Sequence, residues 1–275
     1  IDLDTILPCL WMSSLRRKKR VYDAHELFCE MDEIVKRPTV YKIWKGIEAY
    51  AIPKFPIGYT IGECYAEEFK RNYGVHYGIV RNATRLISAP SSVESDGTIL
   101  YQGAVNEGRS FETLLPAMQQ IDATLIICGD GNYFEQVKEY IAQHCLQNKI
   151  ICTGYIEPQA LKVYTQKAYI GITLFTSTGR SNYLSLANRF FDYMHAGIPQ
   201  ICMAYPEYVK INAQFEVACL LPDTNIDTIV AAIQKLLTDP LYYQTLKANC
   251  FQAREVYSWQ QQEITLLQTY SHCFE

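Results

Sequence analysis

"SLANRFFDYMHAGIPQI", residues 185–201, reads as a helix that stops at a glycine and hands over to a strand. Leu186, Phe190, Phe191, Tyr193 and Met194 supply its apolar side. "PQICMA" then begins a short apolar run with strand character. Three polar residues interrupt the helix near its start: Asn188, Arg189 and Asp192. Asn188 and Asp192 are four apart and share one face. A helix start offers free N–H groups to an anion, and a carboxylate one turn deeper suits a ribose diol. A capped helix with an exposed Asp192 is the plainer alternative.

Outward from this stretch, strand and helix alternate. "ILYQGA", "ATLIICG", "KIICTG", "AYIGITLF" and "VACLLP" are short apolar runs. Between them "SFETLLPAMQQ", "NYFEQVKEYIAQHC", "EPQALKVYTQK" and "NIDTIVAAIQKLL" have helical spacing, and a last helical region starts at Pro240. Alternation of this kind predicts a parallel sheet covered on both faces, wound by right-handed crossovers into a Rossmann-like domain. The first 87 residues repeat the theme with fewer elements: strands in "KRVYDAHEL", "PIGYTIG" and "YGIVRNAT", helices in "RPTVYKIWKGIEAYAIPKF" and "ECYAEEFKRNYGV". The fold class is therefore α/β with two doubly wound domains, the N-terminal one incomplete. The expected division is 1–87, a Ser/Pro/Gly-rich linker at 88–98, a second domain at 99–250, and a helix at 251–275 returning to the first domain.

A net charge of −4 without a basic domain argues against nucleic acid as a partner. The basic run Arg16, Arg17, Lys18, Lys19, Arg20 reads first as a solvated segment, with contact to anionic lipid as the alternative. The ten cysteines are scattered with no CxxC pair, as expected of free thiols in a reducing cytosol. No 18-residue apolar stretch is present, so a cytoplasmic protein, at most peripheral at the inner face of the membrane, is expected. The opening "ILPCLWM", residues 6–12, would normally pack on strands of a complete domain, so an upstream continuation or self-association through residues 1–60 is expected.

In an open α/β sheet, ligands bind beyond the carboxyl ends of the strands, so the strand-to-helix turns carry the candidate site. "YQGAVNEGRSFE" sets Gly103 at a strand end and Gly108-Arg109 at a helix start, a combination that suits a diphosphate. "LIICGDG" places Gly129 in a tight turn but lacks GxGxxG, so dinucleotide binding and a nicotinamide oxidoreductase are disfavoured. After Gly154, backbone groups of Tyr155 and Ile156 suit a flat base edge. The polar loop "TSTGRSNYL" brings Ser181 and Asn182 toward the Asn188 helix start. In the first domain "YDAHELFCE" clusters Asp23, His25 and Glu26 just after a strand. A structural histidine is the default there, and a group facing the interdomain cleft is the alternative.

These turns, in this order, resemble retaining glycosyltransferases of the GT-B fold, group 1 / family four. The likeness is almost continuous from about 98 to 205, and the upstream motifs resemble the later half of that family's acceptor domain. The resemblance implies transfer of a hexose from a nucleoside diphosphate sugar, UDP- or GDP-linked, to a glycan or lipid-linked acceptor with retention. It implies no bound metal and no cofactor beyond the donor. It assigns Arg109 to the diphosphate, Asp192 to the ribose in place of the usual Glu, Asn188 and Arg189 to an Asn-Lys pair of one branch, and His25, the acceptor-domain histidine that faces the donor sugar, to catalysis together with Glu26. Two positions depart from the pattern: Ala104 stands where an Arg is usual, and Leu184 where the first Glu of a paired motif is usual. A non-catalytic nucleotide-sugar-binding or partner-docking relative is the alternative reading.

Overall fold

Strands of two to five residues, most of them largely buried, organise the computed structural model, which describes residues 2–87, 95–177 and 179–274. Two compact units emerge. The first comprises Ile1–Arg85, Ser177–Leu186 and Ser258–Glu275; the second comprises Leu86–Thr176 and Ala187–Tyr257. Of the expected linker, residues 88–94 lie outside the described residues.

In the first unit, α1 (Ile6–Leu15) leads to β1 (Tyr22–Ala24), then α2 (Asp32–Val35), α3 (Pro38–Ala51), β2 (Gly58–Thr60), α4 (Glu63–Tyr73) and β3 (Gly78–Ile79). The three strands pair in parallel, in the order β1-β2-β3, with Asp23 opposite Tyr59 and Thr60 opposite Ile79. Helix α3 starts on Pro38, which gives up an N–H that the first turn could not use. Helix α4 carries Glu63 in its first turn, Lys70 and Arg71 in its last, and ends on Gly74 in the left-handed region. Four aromatic rings form the centre of this core. Tyr22 lies 5.9 Å from Phe55, 6.1 Å from Phe69 and 5.8 Å from Tyr77. Gly58 is required by that cluster, because a Cβ there would meet the Tyr22 carbonyl at 2.6 Å and the Tyr77 ring at 2.8 Å.

The second unit contains β4 (Ile99–Gln102), α5 (Phe111–Gln119), β5 (Leu125–Cys128), α6 (Phe134–Gln143), β6 (Ile150–Gly154), α7 (Pro158–Lys167) and β7 (Ile170–Thr173). The chain then enters the first unit as the short helix α8 (Arg180–Leu184) where the sequence suggested only a loop. It returns with α9 (Asn188–Ala196), β8 (Gln200–Met203), α10 (Pro206–Gln214), β9 (Ala218–Leu221), α11 (Ile226–Thr238) and α12 (Pro240–Val256). The last helix, α13 (Trp259–Ser271), packs on β2 and β3 of the first unit, so the chain changes units at Ser258 rather than at residue 251.

All six strands of the second sheet run parallel, in the order β6-β5-β4-β7-β8-β9. Winding proceeds outward from β4 in one direction and from β7 in the other, so β4 and β7 flank the topological switch point. Burial on both faces explains why these strands read as continuous apolar runs. Helix α9 lies against β7, and the Tyr193 ring covers Gly171, where a Cβ would come within 2.5 Å of it. The Tyr193 hydroxyl donates to the Leu100 carbonyl at 2.9 Å, which ties α9 to β4. All ten cysteines are free thiols, as the sequence indicated.

Candidate functional site

The carboxyl ends of β4 and β7, with the start of α9, gather most of the polar residues singled out in the second unit. Asn188 is exposed at the first position of α9. Arg189 is turned inward. It is 8% exposed, its Nη1 donates to the Gln102 carbonyl at 2.7 Å, and its guanidinium lies 4.5 Å from the centroid of the Tyr101 ring. Arg189, expected to contact the donor, thus secures the end of β4. Burial drives it there, because a guanidinium removed from water needs a carbonyl and an aromatic face to offset the lost hydration.

Asp192 is half-buried one turn deeper, and its Oδ2 accepts from Gln102 Nε2 at 3.0 Å. The other end of the same amide accepts from Thr165 Oγ1 at 2.8 Å. Gln102 is therefore the hub of the site, with Thr165 on α7 fixing the amide and the amide fixing the carboxylate. Neither residue was found from the sequence. Gln102 had one signal, a polar residue closing an otherwise apolar strand, whereas Thr165 had none.

The turns after β4 and β5 form one wall. Gly103 N–H donates to the Cys128 carbonyl and Gly129 N–H to the Gly154 carbonyl, each at 2.9 Å. Asn106 and Asn132 exchange bonds across the turns: Asn132 N–H donates to Asn106 Oδ1 at 3.1 Å, and Glu107 N–H donates to Asn132 Oδ1 at 3.0 Å. Gly108, with φ of +79°, turns the chain just before α5, and its carbonyl accepts from Thr176 N–H at 2.8 Å at the end of β7. Arg109 follows, half-buried, its guanidinium 5.6 Å from the Phe175 ring centroid. Next comes Ser110, the N-cap of α5, held at φ of +60°, a strained conformation for a residue with a Cβ. After β6, Tyr155 is exposed, and Ile156 packs against the Leu100–Tyr193 cluster.

Ser181 and Asn182 belong to the first unit, on α8. Ser181 is buried, its carbonyl accepts from the Tyr65 hydroxyl at 2.8 Å and its own hydroxyl lies 3.0 Å from that oxygen, so it acts as a packing residue. The Asn182 carbonyl caps its own helix by accepting from Ser185.

Also in the first unit, His25 follows β1 with both ring nitrogens engaged. Nε2 lies 2.8 Å from Asp23 Oδ1, and Nδ1 lies 3.4 Å from the Asn82 amide. Its backbone N–H donates to Asp2 Oδ1 at 3.0 Å. Glu26, one residue on, is exposed. The hydrogen bond to Asp23 raises the His25 pKa above its ordinary value, against the opposing effect of burial. A raised folded value favours folding while the imidazolium is present. That contribution is complete below the unfolded pKa of about 6.5 and is lost as pH rises through the folded value. Asp23→Asn should move the His25 titration, followed by NMR, to lower pH; an unmoved titration would refute the pairing.

Among the described residues, no three His, Cys, Asp or Glu side chains converge as a metal site, and no helix is long and apolar enough to cross a membrane.

A doubly wound parallel sheet with a carboxylate helix, an arginine-bearing turn and glycine hinges at its switch point is the architecture of the GT-B class of glycosyltransferases. The family model described as Glycosyl transferases group 1 matches residues 84–253, and the chain belongs to that family. Among curated relatives, 2-deoxystreptamine N-acetyl-D-glucosaminyltransferase of Niallia circulans is 22% identical over 157 residues, covering 55% of this chain. That match spans 39% of the relative's length. Among solved structures, Anabaena Alr3699/HepE in complex with UDP and glucose superimposes with a TM-score of 0.78 at 13% identity, covering 98% of this chain and 76% of that one. Sucrose-phosphate synthase from Thermosynechococcus elongatus gives a TM-score of 0.73 at 18% identity, covering 96% and 71%. At these identities the structural likeness concerns the fold.

Proposed function

We propose that the chain transfers a hexose from a nucleoside diphosphate sugar to a glycan or lipid-linked acceptor with retention of configuration. The observation that carries this reading is the Asp192 carboxylate, oriented by Gln102 and Thr165 at the switch point of the second unit. A buried amide fixes the direction of that carboxylate, and a carboxylate is the acceptor that a ribose diol calls for. Arg109 and the α5 start offset the charge that builds on the diphosphate as it leaves. Uracil is the first choice of base, since the Anabaena structure holds UDP; guanine is the second. His25 and Glu26 are assigned to the acceptor side, with Asp23 and Asn82 fixing the imidazole.

One observation favours the non-catalytic alternative. Leu184 is buried in the core of the first unit, and the Ala104 carbonyl accepts from Tyr101, so neither position supplies the charged group usual there. Two assays separate the readings. UDP or GDP should raise the unfolding temperature, the linkage amounting to about 2.7 kcal/mol at a hundredfold excess over Kd, with ADP weaker. Failure of every nucleoside diphosphate at millimolar concentration would remove the transferase and the nucleotide-sugar-binding readings and leave only partner docking. Stabilisation by UDP together with no turnover of any UDP-hexose, by hydrolysis or transfer, would leave only the non-catalytic reading.

A further inference from the structure

Helices α3 and α4 of the first unit border a polar cavity of about 420 Å³. Two carboxylates are sunk beside it: Glu48 on α3 is 4% exposed and Glu68 on α4 is 7% exposed. A carboxylate taken out of water needs partners, and each has several. Glu48 accepts from Lys45 Nζ at 2.8 Å and from the Tyr73 hydroxyl at 2.5 Å. Glu68 accepts from Arg71 Nη2 at 2.6 Å and 2.5 Å, from Asn72 Nδ2 at 3.3 Å, and from Arg180 Nη2 on α8. Lys45 also lies 3.2 Å from Glu30 Oε1, on the turn Phe28–Glu30. Three carboxylates thus stand against three cations.

The lining comes from α3, α4, α8 and that turn, and none of it from α1. Helix α4 leaves the carboxyl end of β2 and returns toward the amino end of β3, and α3 returns toward the amino end of β2. Lys45, Ala49, Arg71, Asn72 and Tyr73 occupy the second halves of these helices, away from the carboxyl end of β1 that His25 follows. The ion pairs leave both kinds of polar group to spare. Arg71 and Arg180 each spend one nitrogen on Glu68, and both side chains are otherwise exposed. Among the described residues, Glu30 Oε2 and Asn72 Oδ1 accept no hydrogen bond. The Tyr73 ring and the Ala49 methyl add a small apolar patch.

We propose that this cavity binds a neutral hexose unit, at a site separate from the one assigned to transfer. A hydroxyl donates and accepts at once, so a ring bearing several of them uses the guanidinium N–H groups together with Glu30 and Asn72. A phosphate or carboxylate would take the guanidiniums but meet Glu30 and Glu68 as like charges. A metal cation would find the carboxylates already held by three cations. The volume lies within the roughly 300–1,000 Å³ of small-molecule sites. Because Glu68 and Glu48 fix the cations in advance, little ordering is left for a ligand to impose. The inference rests on the first unit alone, so it stands or falls independently of UDP binding and of turnover.

The test is NMR titration of the full chain with the methyl glycosides of glucose, galactose and mannose in turn, and with glycine and inorganic phosphate for comparison. At least one glycoside should shift the amides of Ala49, Asn72 and Tyr73 saturably. Its affinity should be the same at about 0.05 and 0.5 M salt, since a neutral ligand has no charge to screen. Ala49→Trp, at an exposed position, fills the cavity and should weaken binding about tenfold or more. Arg180→Gln leaves Glu68 paired with Arg71 and should weaken it about threefold or more. Unchanged circular dichroism establishes that both variants fold. Shifts confined to the second unit, no saturable shift with any of the three glycosides, or wild-type affinity in Ala49→Trp overturns the proposal. Tighter binding of phosphate or glycine at the same residues overturns it in favour of an anion or a zwitterion.

Discussion

Gly129→Ala is expected to destabilise the second unit by about 3 kcal/mol or more, the sum of overpacking and backbone strain. A Cβ at Gly129 would lie 1.8 Å from the carbonyl oxygen of Gly103 and 2.9 Å from its carbon. These are backbone atoms, so no rotamer change relieves the clash. The turns would have to separate, and the Gly103–Cys128 and Gly129–Gly154 bonds that join three strands would go with them. The unfolding midpoint should drop by roughly 6–12 °C, at 2–4 °C per kcal/mol for a unit of this size. Gly74→Ala is the matched control. Gly74 has a φ of +69° but open space around it, so that variant reports backbone strain alone, about 1–2 kcal/mol. If Gly129→Ala unfolds at the same temperature as Gly74→Ala, the close approach of the two turns is not a feature of the protein in solution.

Arg109→Ala is expected to weaken UDP binding by about 1.5–3 kcal/mol, the range for a hydrogen bond to a charged group, or roughly 10- to 150-fold in Kd. The guanidinium is pre-positioned by the Phe175 ring beneath it and by the Gly108–Thr176 bond one residue away, so little ordering entropy remains to be lost on binding. Arg109→Lys should recover only part of the loss, because an ammonium neither stacks on the ring nor presents a planar fork. Asp192→Asn should weaken UDP more than it weakens pyrophosphate, since its partner is the ribose. Calorimetric titration of the three variants at fixed salt decides the matter. Wild-type affinity in Arg109→Ala would mean that the diphosphate lies elsewhere.

The strands of the second sheet were legible because most are buried on both faces and so read as short apolar runs. Helix α9 was legible from its apolar side, and the structure ends it on Gly197 at φ of +71°. Gly103, Gly108 and Arg109 were legible as candidates because ligands of an α/β sheet bind beyond its strand ends, and Asn188 and Asp192 because they interrupt an apolar helix. Roles inside the site were less so. Arg189 and Asp192 are three residues apart on the same helix, yet one is buried on a carbonyl and a ring while the other presents a carboxylate.

Composition and periodicity by themselves determined the parallel α/β architecture, the turns that carry polar groups, the free thiols and the absence of a membrane-spanning helix among the described residues. Only the tertiary structure decided that Gln102 links Thr165, 63 residues away, to Asp192, 90 residues away, and that Ser181 is taken by Tyr65, 116 residues away. The division has a physical cause. Backbone periodicity and turn chemistry act over a few residues and leave their mark in the local sequence. The partner of a buried polar group is chosen by whichever donor or acceptor the packed sheet brings within 3 Å, and no spacing along the chain encodes that choice.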